Sequence, residues 1–184
     1  KKTFPNLPIS FKIQKKLTGM SDAVSLGVSA TKNDQIFIIW GDQPCFKRRT
    51  IMHMMHQFES NKKSGLIMPI RNVVEPYIHL ERDESDILIK VLEKREEDLL
   101  PKIGLSDAGL FLFRKEILEL LLSYKQFTIG KETNEKSLLK LFPLIEESFY
   151  SIEGFYLDDD RECLGVNTSK EALEAESYLC NEAS

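Results

Sequence analysis

The sequence predicts one α/β domain built on a mainly parallel sheet flanked by helices. Two observations carry that reading. Short, strongly apolar runs alternate with helical patterns along the chain, as layered α/β domains require. The run Ile36 to Trp40 (IFIIW) is apolar at every position, the pattern of a central strand covered on both faces. A chain of 184 residues fits a single domain, read here as residues 1–184. It is long enough to bury a core without a disulfide or metal staple.

The elements follow in order. Phe11 to Gln14 reads as the end of a strand, and Ser21 to Ala30 as a helix with small residues on one side. After Ile36 to Trp40 comes the turn Gly41-Asp42-Gln43-Pro44 and then a helix over Lys47 to Ser60. In that helix Ile51, Met54, Met55 and Phe58 form one apolar stripe. Leu66 to Pro69 is a short buried strand; Ile87 to Leu92 and Gly109 to Phe113 are two more. Phe113 runs into a helix carrying Ile117, Leu118, Leu121 and Leu122. A helix is predicted over Glu135 to Ser148, ended or bent by Pro143. Phe155 to Leu157 is a strand. The last helix starts at Thr168, with Glu171 at the spacing of a capping box.

Composition narrows the function. The net charge of −4 and the absence of a long basic stripe argue against nucleic acid as a partner, and Lys47-Arg48-Arg49 reads as a solvated helix start. No apolar run approaches the roughly 20 residues of a membrane span, and Lys1 to Ser10 has no signal-peptide hydrophobic region. Cys45, Cys163 and Cys180 form no CxxC pair, which suits a reducing cytoplasm.

Three segments have the makings of chemistry. Asp42 follows a wholly apolar strand, so it stands at the carboxyl edge of the sheet, where open α/β sheets collect ligands. Gly41 lets the backbone turn and a ligand come close, and Pro44 stiffens the exit. A carboxylate there suits Mg²⁺, which takes one or two carboxylates plus phosphate oxygens; a turn-forming Asp without a ligand explains the tetrapeptide equally well. Asn167 closes the segment Glu162-Cys163-Leu164-Gly165-Val166-Asn167. It is a cap or turn residue on one reading and a neutral metal ligand opposite Asp42 on the other. Gln14, then Leu17-Thr18-Gly19-Met20-Ser21-Asp22-Ala23, forms a strand end, a glycine turn and a helix start. That arrangement offers backbone N–H groups to a base or phosphate.

The order QxxLTGMSDAV, an apolar strand with GDQP, a long middle section and ECLGVN before a final helix resembles the sugar-1-phosphate nucleotidyltransferases, and most of all the N-acetylglucosamine-1-phosphate uridylyltransferase domain. GDQP also resembles the molybdenum-cofactor guanylyltransferases. Ile89 to Arg95 (IKVLEKR) resembles the strand bearing a sugar-binding glutamate, and Ser106-Asp107-Ala108-Gly109 the N-x-G segment that follows. The resemblance spans about Lys12 to Leu179.

What the resemblance implies is a Rossmann-like three-layer domain with a mixed, mostly parallel sheet. Asp42 and Asn167 would chelate a catalytic Mg²⁺. Gln14, Gly19, Met20 and Gly41 would bind the nucleotide. Glu93 would hydrogen-bond sugar hydroxyls, with Asp107 and Gly109 completing the acceptor site. The reaction would join a nucleoside monophosphate from a nucleoside triphosphate to a phosphorylated acceptor such as a sugar 1-phosphate, releasing pyrophosphate.

The chain also departs from the pattern. Met20 replaces a small residue or Thr, Asp22 stands where His is common, and Asp107 replaces Asn. Glu75-Pro76-Tyr77-Ile78-His79 stands where a glycine-arginine loop is expected. These changes leave the acceptor open, a phosphocholine-type one included. The family's first strand and its glycine-rich loop with Arg and Lys are expected to be missing, since the sequence starts at Lys1-Lys2-Thr3-Phe4-Pro5, close to the base-binding segment. The alternative expectation is a non-catalytic domain of this shape that binds a nucleotide or a protein; an unrelated doubly wound domain is the third.

The remaining candidates have plainer readings. His53 and His56 read as surface residues and His79 as a satisfied structural histidine. Asp158-Asp159-Asp160 reads as a solvated turn lacking the features of an EF-hand. Glu96-Glu97-Asp98 reads as a solvated loop, and Cys45 as packing.

Overall fold

The structure, a computed structural model, describes residues 7–124 and 129–182; the stretch Lys1 to Pro5 lies outside them. In chain order the helices are α1 (Met20–Val28), α2 (Arg48–Ser60), α3 (Lys115–Ser123), α4 (Pro143–Glu146) and α5 (Ser169–Glu182). The strands are β1 (Gln35–Ile39), β2 (Ser64–Val74), β3 (Ile78–Arg82), β4 (Leu88–Glu93), β5 (Ile103–Asp107), β6 (Leu110–Arg114) and β7 (Ser151–Tyr156).

The long strand β2 organises the main sheet. On one side it pairs in parallel with β7; on the other it pairs antiparallel with β5 and β6, and β6 pairs antiparallel with β1. β3 and β4 form a separate antiparallel hairpin. The sheet is therefore mixed, as expected, but not mostly parallel. β1, β2 and β7 point one way, yet β6 runs against them between β1 and β2, so only the β2–β7 ladder is parallel. The apolar strands β2 and β6 are covered on both faces, and helical layers impose that burial whatever the strand direction.

Those layers are clear in the side chains. Leu66, Met68 and Ile70 of β2 and Phe111 and Phe113 of β6 face α1, α3 and α4 in the larger core. The intervening Ile67, Leu110 and Leu112 face Met54 and Phe58 of α2. Ile117, Leu118, Leu121 and Leu122 are all buried, as the spacing predicts. Complete burial of a side chain such as Met54 or Phe58 contributes roughly 2 kcal/mol.

β5 and β6 are one strand with a break. Between the pairs Ile67↔Leu112 and Ile70↔Asp107, β2 advances three residues while its partner advances five, leaving Ala108 and Gly109 as two extra residues. Pro69 stands opposite this break. Its carbonyl accepts the Ala108 N–H at 3.1 Å, so its missing N–H would face a ladder that is already interrupted. Proline in a central strand is tolerated at such a bulge.

Three expected elements differ. Phe11 to Gln14 forms no strand; Phe11 and Ile13 are 69% and 82% exposed, with no layer to pack on. Glu135 to Ser148 is not one helix. Lys136 sits in an isolated bridge, a short 3-10 turn covers Leu139–Leu141, and Pro143 occupies the first turn of α4, where its lost N–H is harmless. β1 pairs along one edge only among the described residues. Its Phe37 and Ile39 are 38% and 48% exposed, so it is not a strand covered on both faces.

Candidate active site

The carboxyl ends of β1 and β7 lie level with Pro69 and Ile70 of β2, before that strand ends at Val74, which brings the Gly41 to Pro44 turn, Arg71 and the segment after Tyr156 near one another. The Gln43 N–H closes the turn on the Trp40 carbonyl at 3.1 Å, and the Val166 N–H donates to the Asp42 carbonyl at 2.8 Å. That second bond ties the two expected metal-site segments together. A Cβ built on Gly165 would stand 3.8 Å from Asn167 Nδ2 and 3.9 Å from Asp42 Oδ2, so both side chains converge on the space beside that glycine. Both residues are exposed, and no atom lies within 4 Å of where a Gly41 Cβ would be.

Asn167 is held from behind. Glu171 Oε2 accepts the N–H groups of Asn167 at 2.8 Å and Thr168 at 2.7 Å, and Thr168 Oγ1 accepts the Glu171 N–H at 3.3 Å. This is the predicted capping box with one further bond. One carboxylate and one carboxamide in an open space suit Mg²⁺, which completes its shell with water and phosphate oxygens. Among the described residues no group of three or more His, Cys, Asp or Glu could hold a metal.

Next to this lies the break between β5 and β6. Gly109 has φ +81°, and a Cβ there would collide with the Gln43 carboxamide and stand 2.6 Å from Trp40 Cδ1. The space expected for an acceptor is thus occupied by this chain's own Gln43, whose Oε1 is buried without a hydrogen-bond partner among the described residues. Asp107 is buried and accepts the Gly109 N–H on Oδ1 at 2.8 Å. Burial pushes its carboxyl up to about 6, against the pull of the Gly109 bond and Arg71, while Glu93 adds to the rise.

The other expected residues gather around a second segment, Glu135 to Ser137. Gln14 Nε2 donates to the Gly19 carbonyl at 3.0 Å. Gly19, at φ +105°, packs so closely on the Lys136 backbone that no side chain fits. The Lys136 N–H donates to the Thr18 carbonyl, and the Ser21 N–H to the Lys136 carbonyl. Met20 packs against the larger core and does not stand free for a ligand. Glu93 is wholly buried, accepting from Arg95 Nε at 2.6 Å and from the Ser137 hydroxyl. Both of its carboxylate oxygens are engaged within the protein.

No family model matches the chain. It is 25% identical over 179 residues to the bifunctional protein GlmU of Thermodesulfovibrio yellowstonii, covering 95% of this chain and 38% of that protein. To the GlmU of Blochmanniella pennsylvanica it is 24% identical over 171 residues, covering 91% and 36%. The chain thus spans a little over a third of the length of these relatives. Among solved structures, it matches a CMP:2-keto-3-deoxy-manno-octonic acid synthetase complexed with CTP, with TM-score 0.55 and 13% identity over 88% of this chain and 68% of that one. It also matches a Bacillus anthracis protein assigned as a glucose-1-phosphate thymidylyltransferase, with TM-score 0.61 and 16% identity over 91% and 63%. The chain is sugar-1-phosphate nucleotidyltransferase-like.

Elsewhere around this site, some plainer readings hold and others change. His53 and His56 are exposed, His53 lying edge-on to Phe155 at 4.7 Å. His79 Nδ1 bonds the Leu105 carbonyl at 3.2 Å, a satisfied structural histidine. Cys45 is buried against Ala175 and Tyr178. Asp159 is not part of a solvated turn: Arg161, Lys47 and Tyr178 converge on it, and those bonds hold its carboxyl far below the usual range. Glu96 is not in a solvated loop either. It is buried, accepting from the Thr133 hydroxyl and the Glu132 N–H.

Sequence reasoning missed Gln43 as a side chain of interest, although it lies inside the quoted GDQP. It also missed Arg71, in the part of β2 that Pro69 hides from sequence reading. Among the described residues no helix is long and apolar enough to cross a membrane.

Proposed function

We propose that this chain is a nucleotidyltransferase domain, acting in the cytoplasm. It would transfer a nucleoside monophosphate from a nucleoside triphosphate to a phosphorylated acceptor, a sugar 1-phosphate first among the candidates. The observation that supports this best is the convergence of Asp42 and Asn167 beside Gly165. The neighbour complexed with CTP supports a nucleotide as ligand, and the buried, unbridged Cys45 and Cys163 suit a reducing compartment.

In this reaction an oxygen of the acceptor phosphate forms a bond to the α-phosphorus, the bond from that phosphorus to the bridging oxygen breaks, and pyrophosphate leaves with the electron pair. The attacking phosphate is already anionic, so no general base is needed. Alignment and charge neutralisation carry the rate. Asp42 and Asn167 would hold Mg²⁺, which when bound supplies positive charge to the phosphate oxygens. The Gln14 side chain and the turn at Gly19 would receive the base. Gly41 leaves the approach to Asp42 open, and Asp107 with Gly109 shapes the acceptor side.

The test is Mg²⁺-dependent pyrophosphate release by the protein as encoded, over four nucleoside triphosphates and a panel of phosphorylated acceptors, beside Asp42→Ala. Release confined to one pair and lost in the variant is the expected result. The second reading, a non-catalytic binding domain, draws on Glu93 being fully engaged within the protein and on Gln43 filling the space over Gly109. Silence across the panel from folded protein is its expected outcome, and it would overturn the transferase.

A further inference from the structure

Arg71 stands on β2 one residue past Ile70, which pairs with Asp107 on one side and Tyr156 on the other. It therefore lies beside the carboxyl end of β7 and the start of the break at Asp107, while β2 runs on to Val74. Its Nε is sealed from solvent and has no hydrogen-bond partner among the described residues. Arg82 Nε is in the same state, but each of the other arginines with shielded side chains is bonded through another of its nitrogens or through Nε itself. Arg82 donates to the Asp86 carbonyl, Arg95 to Glu93 and Glu135, and Arg114 to the carbonyls of Ser64 and Asn61. Arg71 alone of these four makes no hydrogen bond through its side chain among the described residues, and its terminal nitrogens are not sealed in as Nε is. Its charge is felt on both flanks of the site, at Asp107 and at Cys163, four residues before Asn167.

A half-buried guanidinium without an acceptor has lost water and gained nothing in exchange, an arrangement that makes sense where an oxyanion arrives with a ligand. Its planar fork matches phosphate oxygens, and charge-assisted bonds of this kind are among the strongest available.

We infer that Arg71 is a phosphate-binding residue of this site, its free N–H groups donating to a phosphate of the bound substrates; this rests on the nucleotidyl-transfer reading above. The phosphate comes either from the acceptor or from the triphosphate, and two probes separate them. The protein as encoded is titrated calorimetrically with glucose 1-phosphate and, separately, with inorganic pyrophosphate, in Mg²⁺ buffer, as wild type, Arg71→Lys and Arg71→Met. Arg71→Met is expected to weaken one of the two by roughly 10- to 100-fold, with Arg71→Lys recovering part of the loss and both variants melting near wild type. The probe that weakens names the phosphate. Should Arg71→Met melt early, Arg71→Lys decides, with a several-fold loss expected. Unchanged binding of both probes, or wild type that binds neither, overturns the assignment. Pyrophosphate release that is lost in Asp42→Ala but intact in Arg71→Met removes this inference and leaves the transferase standing. Arg71-dependent pyrophosphate binding in a protein silent across the substrate panel does the reverse.

Discussion

The backbone N–H of Gly109 donates to Oδ1 of Asp107 at 2.8 Å, inside the two-residue break that divides β5 from β6. The bond favours the ionised carboxyl, yet burial outweighs it and lifts Asp107 to about 6. An unfolded Asp titrates near 3.9. The folded state therefore holds the proton more tightly, so this contribution is fully present below about pH 4 and is lost as the pH rises through about 6. Asp107→Asn keeps an oxygen for the Gly109 N–H and never ionises. It is expected to exceed wild type in stability at pH 7 by on the order of 3 kcal/mol and to converge with it near pH 4. Urea denaturation at several pH values checks this; parallel pH profiles for the two proteins would sink it.

Gly109→Ala should destabilise by at least about 2 kcal/mol. The left-handed backbone costs roughly 1–2 kcal/mol for an L-residue, and the new methyl meets the Gln43 carboxamide. Gln43→Ala in the same chain should return the part due to the carboxamide and leave the backbone part and the Trp40 contact. Thermal melts of the two single variants and the double variant read this non-additivity. Additive losses would mean that Gln43 does not fill the space over Gly109.

Glu93 and Arg95 form a pair in which the acid is wholly buried. Removing the base strands the acid, so Arg95→Met should cost roughly 3–5 kcal/mol. Glu93→Gln, which keeps hydrogen-bonding atoms for Arg95 and Ser137, should cost less. Chemical denaturation ranks the two. The reverse order, or a loss below about 1 kcal/mol for Arg95→Met, would show that Glu93 is not held in this way.

Glu171 reaches the candidate metal site through the backbone N–H groups of Asn167 and Thr168 and through the Thr168 hydroxyl. Groups that orient a metal ligand are typically worth about 10- to 100-fold in affinity. Glu171→Ala should therefore weaken Mg²⁺ binding roughly 10-fold, and Glu171→Gln should retain part of it. Mg²⁺ titrations beside Asp42→Ala measure the effect. An unaltered Mg²⁺ affinity would restrict Glu171 to capping α5.

What could be read from the sequence was local. The stripe Ile51, Met54, Met55 and Phe58 is a property of one helix, and the Thr168–Glu171 spacing a property of one turn; both stand in the structure. The position of Asp42 just past a strand could be read because that strand is apolar. β3 and β5 could not, since Ile78-His79-Leu80-Glu81-Arg82 and Ile103-Gly104-Leu105-Ser106-Asp107 become strands through partners far along the chain. β2 was shortened because Pro69 reads as a strand end; only the break opposite it makes proline acceptable there. The engagement of Glu96 and Asp159 followed the same rule: their partners at Thr133 and Tyr178 are set by tertiary packing.

The break at Ala108 and Gly109 has an even number of residues, and parity is what a β-strand remembers. Asp107 shares a sheet face with Ile70, and Phe113 with Leu66, so the same side of the ribbon looks into the larger core before and after the interruption. One residue more or one fewer would turn Leu110 to Phe113 inside out, exchanging the partners of α2 for those of α3. Sequence length at this point should therefore drift only in steps of two, and the distance from Asp107 to Phe113 is a more constrained quantity than the identity of either residue inserted between them.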